Sequence, residues 1–415
     1  MRTDIPDDAA PGDLRARAFA ALDLLAGDVG GLGIALSGGG DSVALMHLAA
    51  EWAAGRSCRL ATATVDHGLR PESAAEAAAA GAAAARLGLP HQVLRWQAAG
   101  GPGNLMANAR QARLDLLADW ARAQGLDAVA LGHTRDDLAE TLLMRLARGA
   151  GIDGLAAMAA RRTDRGMVWL RPLLDIGREE LRDHLRARSV GWIDDPSNDN
   201  DRFERVRARQ AIAALGLDTA ALAQSAANLG QAREALNAAL MPLLDSAEAR
   251  YGSVLLDRAG FDAAPLEQRR RLVVAAVRFV TGAGYPPRRA GVEHALAALE
   301  RGARVTLDGA VLDPAQALRV HREPAAAARA NDGAAVWDNR WRIDGLRAGD
   351  SVAALGADAA AADWRAAGLT HLEAQALPAI RRAGHLIVPA LEPAKGLTAT
   401  PLRGIMDFHG ILLGH

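Results

Sequence analysis

Residues 31–50 read GLGIALSGGGDSVALMHLAA, an apolar run joined to a helix-forming stretch by three glycines and an aspartate. Glycine at such a joint lets the backbone approach an anion, and the helix that follows turns unsatisfied N–H groups and a positive dipole end to the same point. The strand–loop–helix pattern continues downstream: RLATATVD (59–66), HQVLRW (91–96) and AVALGH (128–133) alternate with alanine-rich stretches of helical spacing. That alternation predicts an α/β, Rossmann-like parallel sheet with crossover helices up to about residue 215, with MVWLRPLL (167–174) as a further edge strand.

Three phosphate-binding designs compete for the glycines. A kinase or GTPase loop closes on Gly-Lys-Ser/Thr, and the single lysine of this chain is Lys395. The dinucleotide fingerprint G-x-G-x-x-G needs its third glycine where Val43 stands. What remains is Ser-Gly-Gly-x-Asp-Ser, formed by Ser37, Gly38, Gly39, Gly40, Asp41 and Ser42, and it resembles the pyrophosphatase loop of ATP-dependent enzymes that release pyrophosphate and transfer AMP. An acid beside a triphosphate is unfavourable unless a divalent cation lies between them, so Asp41 argues for Mg²⁺. Ser37 and Ser42 would add hydroxyl donors to the same oxygens. The plainer alternative is a glycine turn in which Ser42 or Asp41 merely caps a helix.

Composition narrows the chemistry. Cys58 is the only cysteine, which excludes an internal disulfide, a four-cysteine metal site and a cluster held by several cysteines. The N-terminal stretch has no long apolar core and no run of about eighteen apolar residues occurs, so the chain is expected in the cytoplasm, away from membranes. Net charge is −1, yet residues 266–304 hold eight arginines against Glu267, Glu293 and Glu300: a docking face for a polyanion, or a solvated helix face.

With 415 residues, half of them hydrophobic, two or three domains are expected. Residues 216–330 look mainly helical, with RVTLDGAVLD (304–313) a hairpin turning at Asp-Gly. The run EPAAAARANDG (323–333) reads as a linker, and residues 331–415 as a small α/β or β-rich module.

Two clusters suggest chemistry. GHTRDDLAET leaves a strand and enters a helix near Asp136, so Asp136 and Glu140 lie one turn apart with Asp137 adjoining. Carboxylates at the C-terminal edge of a parallel sheet can hold an ammonium group or Mg²⁺. Thr134-x-x-Asp137 is also a capping box, which accounts for one acid of the three. His133 at the strand end is either structural or in contact with nucleotide. Arg110 and Arg113, three apart on a helical stretch, can offer two guanidinium groups to one phosphate, or else line a solvated face.

VDHGLRPESAAEA (65–77), NLMANARQARLDLL (104–117), LGHTRDDLAETLLMRLARGAGIDGLAAM (131–158) and RPLLDIGREELRDHLRARSVGWIDDPSNDNDRFERVRAR (171–209) follow the loop in the order seen in tRNA(Ile)-lysidine synthetases. The chain resembles that family densely over its first 210 residues and again, more faintly, in WDNRWRI and ALPAIRRAGHLIVPAL. The resemblance implies an enzyme that adenylates the wobble cytidine of an isoleucine tRNA with a CAU anticodon and replaces the activated oxygen with the side-chain amine of free L-lysine. ATP is consumed, and AMP and pyrophosphate leave. It implies a catalytic domain over 1–215 and tRNA-binding domains over 216–330 and 331–415, and it leaves a homodimer open. By the same resemblance Asp41, Asp137 and Arg113 are catalytic, and residues 37–42 with Arg110 and His133 bind ATP. Mg²⁺ sits at Asp41, while Asp136, Asp137 and Glu140 bind lysine. Arg145, Arg148, Arg205, Arg207 and Arg209 would face the tRNA.

This chain departs from the family pattern at Asp66, where His is common, at Leu114, where an aromatic residue is common, and at Val206, where Asn is usual. Among rivals, a tRNA thiolase of the same loop type needs paired cysteines or a cluster for sulfur delivery. GMP and NAD synthetases fit the arginine-rich later domains poorly, and a non-catalytic RNA-binding module would have no need of an intact loop beside three acids.

Overall fold

The computed structural model describes residues 13–68, 71–96, 105–194, 201–330, 335–392, 394 and 396–414, without the side chains of residues 105–107 and 110. Two compact units divide between Arg233 and Glu234.

The first unit runs α1 (Leu14–Ala26), β1 (Gly31–Ala35), α2 (Gly40–Ala53), β2 (Arg59–Asp66), α3 (Ser73–Arg86), β3 (His91–Arg95), α4 (Leu105–Ala123), β4 (Ala128–Leu131), α5 (Arg135–Ala147), α6 (Ile152–Leu155), β5 (Arg161–Asp164), β6 (Met167–Leu170), α7 (Arg178–Ala187), α8 (Glu204–Ala214) and the start of α9 (Thr219–Asp245). Its strands lie in the order β3-β2-β1-β4-β6-β5, and only β5 runs antiparallel to its neighbour. The four strands expected from the alternation are all present. MVWLRPLL supplies β6, but β6 is not the edge: it lies between β4 and β5. The edge strand is RRTD, whose polar, half-exposed residues give no apolar signal in the sequence.

Alternation along β1 explains the layers. Leu32 and Ile34, with Leu36 just beyond, enter a core shared with α1, α2 and α7, while Ala35 enters a second core with Leu117, Ala118 and Trp120 of α4. Gly33 lies under the Trp120 ring, where an added Cβ would come within 2.8 Å. A sheet buried on both faces needs apolar residues at both strand parities. Polar function is thereby pushed to the strand ends, and β1 and β4, neighbours in space but far apart in sequence, open the crevice where such sheets bind ligands.

The second unit continues with β7 (Glu248–Arg250), β8 (Ser253–Asp257), α10 (Arg258–Ala263), α11 (Leu266–Thr281), α12 (Arg289–Glu300), β9 (Val305–Leu307), β10 (Ala310–Pro314), β11 (Ala317–Arg322), α13 (Pro324–Ala328), β12 (Val336–Trp337), β13 (Trp341–Asp344), β14 (Ser351–Ala354), α14 (His371–Gln375), β15 (Pro378–Arg382), β16 (His385–Ile387), β17 (Thr398–Pro401) and α15 (Ile405–Leu413). The expected hairpin is β9–β10, with Asp308 and Gly309 both at positive φ, as its tight turn requires. Residues 216–330 nevertheless hold more than helices and one hairpin, because β7-β8-β11-β10-β9 form a five-stranded antiparallel sheet. Strands of three to six residues are too short for a two-residue period to stand out between helices. Phe279 of α11 meets Phe408 of α15 edge-on in the core beside that sheet.

The run read as a linker starts with α13, whose Ala326 and Ala327 are buried, while residues 331–333 lie outside the described residues. Beyond it, two three-stranded sheets, β12-β13-β17 and β14-β15-β16, enclose Trp337, Trp341 and Ile380, so the C-terminal module is β-rich. Six of the eight arginines in 266–304 have partners within this unit. Arg269 pairs with Glu300, Arg270 and Arg271 with Glu267, Arg289 with Glu293 and Arg304 with Asp313, while Arg278 donates to the carbonyls of Ala283 and Gly284. Among the described residues no helix is long and apolar enough to cross a membrane.

Candidate active site

The glycine loop bridges β1 and α2. Gly38 has φ +86°, its carbonyl accepts the Ile193 N–H at 2.9 Å, and a Cβ there would lie 2.8 Å from Ile193 Cδ1. Gly39 precedes α2 in extended conformation and offers no side-chain cap, so the leading amides of a 14-residue helix remain available to an anion. Ser42 is buried; its hydroxyl donates to the Gly39 carbonyl at 2.9 Å and accepts the Ser37 N–H at 3.1 Å. Ser42 thus holds the loop's shape, and the exposed Ser37 hydroxyl, 3.0 Å from it, is the one placed to reach phosphate.

Gly132, the residue after β4, lies against this loop: a Cβ would stand 3.1 Å from the Asp41 backbone. That close approach sets α5 beside Asp41. Thr134 caps α5, its side chain accepting the Asp137 amide while Asp137 Oδ2 accepts the Thr134 amide at 2.8 Å. The capping box is therefore real, and it occupies only one oxygen of Asp137.

Asp41, Asp137 and Glu140 converge on one side chain, Arg178, the first residue of α7. Its Nε is 3.2 Å from Asp41 Oδ2, its Nη1 3.0 Å from Glu140 Oε1 and its Nη2 3.6 Å from Asp137 Oδ1. Its backbone N–H donates to Asp136 Oδ2 at 2.7 Å. Arg209 Nε adds a second contact to Glu140 Oε1 at 2.9 Å, and Arg205 Nη1 lies 3.6 Å from Asp137 Oδ1. Asp41 Oδ1 and Glu140 Oε2 are buried with no hydrogen-bond partner among the described residues.

Charge states follow from these contacts. Burial raises the Asp41 carboxyl above its ordinary value, against the pull of Arg178. Burial also acts to raise Asp137, but Arg178, His133, the Thr134 amide and Arg205 outweigh it and hold that carboxyl below the usual range. Burial works against charge on Arg178 too, yet Glu140, Asp137 and Asp41 together hold it firmly protonated. His133 is pushed by burial down to about 3, so it is a neutral imidazole, and its Nδ1 lies 3.2 Å from Arg171 Nε.

The other expected residues are distributed as follows. The Arg113 charge bears on both His133 and His67, at the crevice side of α4, whereas the Arg110 side chain lies outside the described residues. Arg205 and Arg209 reach the acid cluster. Arg207 instead donates to the carbonyls of Asp201 and Arg202, Arg145 to that of Gly154, and Arg148 pairs with Glu204. Val206 is buried against the body of the unit. Hydrogen bonds from Ser73 and the Gly68 amide hold the Asp66 carboxyl below its ordinary range, which fixes the turn after β2. Cys58 is half-buried, and burial pushes its thiol up, away from the reactive thiolate. Within the segment 171–209, residues 195–200 lie outside the described residues.

Arg178 and Arg171 were not singled out by the sequence. Both sit in the 171–209 segment, but an arginine at the first position of a helix carries no local mark of its distant partners. Among the described residues no group of three or more His, Cys, Asp or Glu side chains could hold a metal ion unaided. The unpartnered Asp41 Oδ1 nevertheless suits a hard cation such as Mg²⁺, which binds through one or two carboxylates and completes its shell with phosphate and water oxygens.

The family described as a PP-loop domain matches residues 23–215. A tRNA(Ile)-lysidine synthase of Ruegeria pomeroyi is 45% identical over 394 residues, covering 92% of this chain and 94% of that protein. Another of Rhizobium meliloti is 37% identical over 389 residues, covering 88% and 82%. One of Bradyrhizobium diazoefficiens is 43% identical over 286 residues, 65% of this chain and 78% of the relative.

Proposed function

This chain belongs to the tRNA(Ile)-lysidine synthase family, and we propose that it is the ligase that joins free L-lysine to the wobble cytidine of an isoleucine tRNA with the CAU anticodon, using ATP. The observation that supports this most directly is the meeting of two half-sites. A pyrophosphatase loop on a helix N-terminus lies beside a buried acid cluster in which Asp41 Oδ1 and Glu140 Oε2 have no partner among the described residues.

ATP phosphates lie along the amides of residues 38–42 with the Ser37 hydroxyl, and Arg113 and His133 face the nucleotide from the other side of the crevice. Bound at Asp41, Mg²⁺ would offset phosphate charge and orient the triphosphate for in-line attack. The ring carbonyl oxygen of the cytosine attacks the α-phosphorus and pyrophosphate leaves. Lysine enters with its ammonium against Glu140 and Asp137, loses a proton there, and its amine attacks the same ring carbon as AMP departs with the oxygen. Neutral His133 is suited to accept or donate a hydrogen bond in this space without adding charge beside the phosphates. The outer arginines Arg145, Arg148 and Arg207 offer contacts for the tRNA backbone, and a tRNA substrate fits a cytoplasmic enzyme.

The test is incubation with ATP, labelled lysine and unmodified isoleucine tRNA, followed by mass spectrometry of the nucleosides. Label in the anticodon wobble nucleoside is expected. Consumption of ATP with no label in RNA would overturn the reading.

A further inference from the structure

Arg178 has a position that its role as a structural ion pair does not use up. One guanidinium, 13% exposed, touches the nucleotide-loop acid Asp41 with Nε and the α5 acids Glu140 and Asp137 with its two terminal nitrogens. Among the described residues four carboxylates, Asp41, Asp136, Asp137 and Glu140, gather round Arg178, with Arg205 and Arg209 reaching Asp137 and Glu140 from α8. Among the described residues Glu140 Oε1 accepts two donors and Glu140 Oε2 none. A substrate ammonium bound to Glu140 and Asp137 would carry three N–H donors into the space that Arg178 Nη1 and Nη2 fill, and two cations in one such space repel.

We propose that Arg178 is a positioning residue that occupies the ammonium subsite of the resting enzyme, and that the incoming lysine side chain displaces it from Glu140 while it keeps its hold on Asp41. This rests on the lysidine synthase reading above. The planar guanidinium is suited to the task because its fork can release one carboxylate and retain another, which a single ammonium point charge cannot do. While the subsite lacks substrate, Arg178 keeps the acids aligned. Once lysine is in place, its ammonium takes the contact to Glu140 that Arg178 gives up. No Arg178 substitution other than proline removes the backbone N–H that holds Asp136, so side-chain loss can be tested apart from the start of α7.

The experiment is steady-state kinetics of Arg178→Gln with lysine and ATP varied separately. Loss of the competing cation should lower the lysine KM about tenfold, the scale of a hydrogen bond to a charged group, while pyrophosphate release slows at least about tenfold as Asp41 loses its partner. A merely structural role would slow turnover with lysine KM raised or unchanged, and that outcome overturns the proposal. Arg178→Ala provides a second measurement: millimolar guanidinium chloride should restore pyrophosphate release and bring the lysine KM back up, and a variant indifferent to guanidinium speaks against it. Arg178→Lys should keep lysine KM near the parent value yet lose pyrophosphate release. If the unaltered enzyme never labels tRNA with lysine, the family-based function fails. If it does and these variants behave otherwise, only the role of Arg178 falls.

Discussion

Asp137 is capped by and caps Thr134: one carboxylate oxygen accepts the Thr134 amide at 2.8 Å, and the other is left to face Arg178 and Arg205 at 3.6 Å each. Helix capping and charge presentation are carried by the two oxygens of one group, so they can be separated by mutation. Thr134→Ala removes only the hydroxyl partner and should cost about 1 kcal/mol of stability, the usual value of such a cap, with a lower thermal midpoint. An unchanged midpoint would mean that α5 is fixed by packing alone.

Asp41→Asn keeps the size of the side chain and loses its charge. If Asp41 holds Mg²⁺ against ATP, pyrophosphate release should fall by at least about a hundredfold, the scale of a lost pre-organised electrostatic contact. Excess Mg²⁺ should recover little of it. Near-normal release would reduce Asp41 to a partner of Arg178.

Glu140→Gln should raise the lysine KM by roughly ten- to a hundredfold and leave the ATP KM nearly unchanged, because a neutral amide keeps the shape and loses the charge-assisted bond. Titration of both substrates on the one variant decides this. A variant that loses adenylation at saturating lysine would place Glu140 with the nucleotide instead.

Burial holds His133 down at about 3, whereas an unfolded histidine titrates near 6.5. Between those values the unfolded chain binds a proton that folded His133 refuses. The contribution of this group is therefore complete above about pH 6.5 and is lost as the pH falls toward 3, with a slope of up to about 1.4 kcal/mol per pH unit. Urea midpoints of the parent and His133→Asn at pH 7 and pH 5 test it: the parent should lose more stability over that interval. Equal losses would show that His133 is not the group responsible.

Gly38→Ala places a methyl group 2.8 Å from Ile193 Cδ1 at a residue with φ +86°. Left-handed backbone costs a non-glycine residue roughly 1–2 kcal/mol before any clash. Lower stability and at least tenfold weaker ATP binding are expected, since relief of the clash must move the loop; calorimetric titration with ATP gives the second quantity. Unaltered ATP affinity would remove Gly38 from the phosphate site.

The sequence alone determined what is local. A glycine loop between an apolar run and a helix, three acids opening the next strand-end helix, a Thr-x-x-Asp cap and an Asp-Gly hairpin are each spelled within about ten residues, because backbone conformation and capping are decided between near neighbours. The tertiary structure decided what is paired across distance. Arg178 lies 38 residues from Glu140 and 137 from Asp41, yet it touches both. They meet because β4 runs beside β1 in the sheet and brings their two strand ends to one edge, where α7 begins. The polar edge strand β5 and the strands β7, β8 and β11 stayed illegible for the same reason, since such a strand is defined by its partner's backbone and not by its own period. The arginines of residues 266–304 read in sequence either as a docking face for a polyanion or as a solvated helix face, because there charges can only be counted. Six of them have partners: Arg270, Arg271 and Arg289 pair one helical turn away, Arg278 and Arg304 find theirs within ten residues, and only Arg269 meets an acid, Glu300, that the packing of α11 on α12 brings to it.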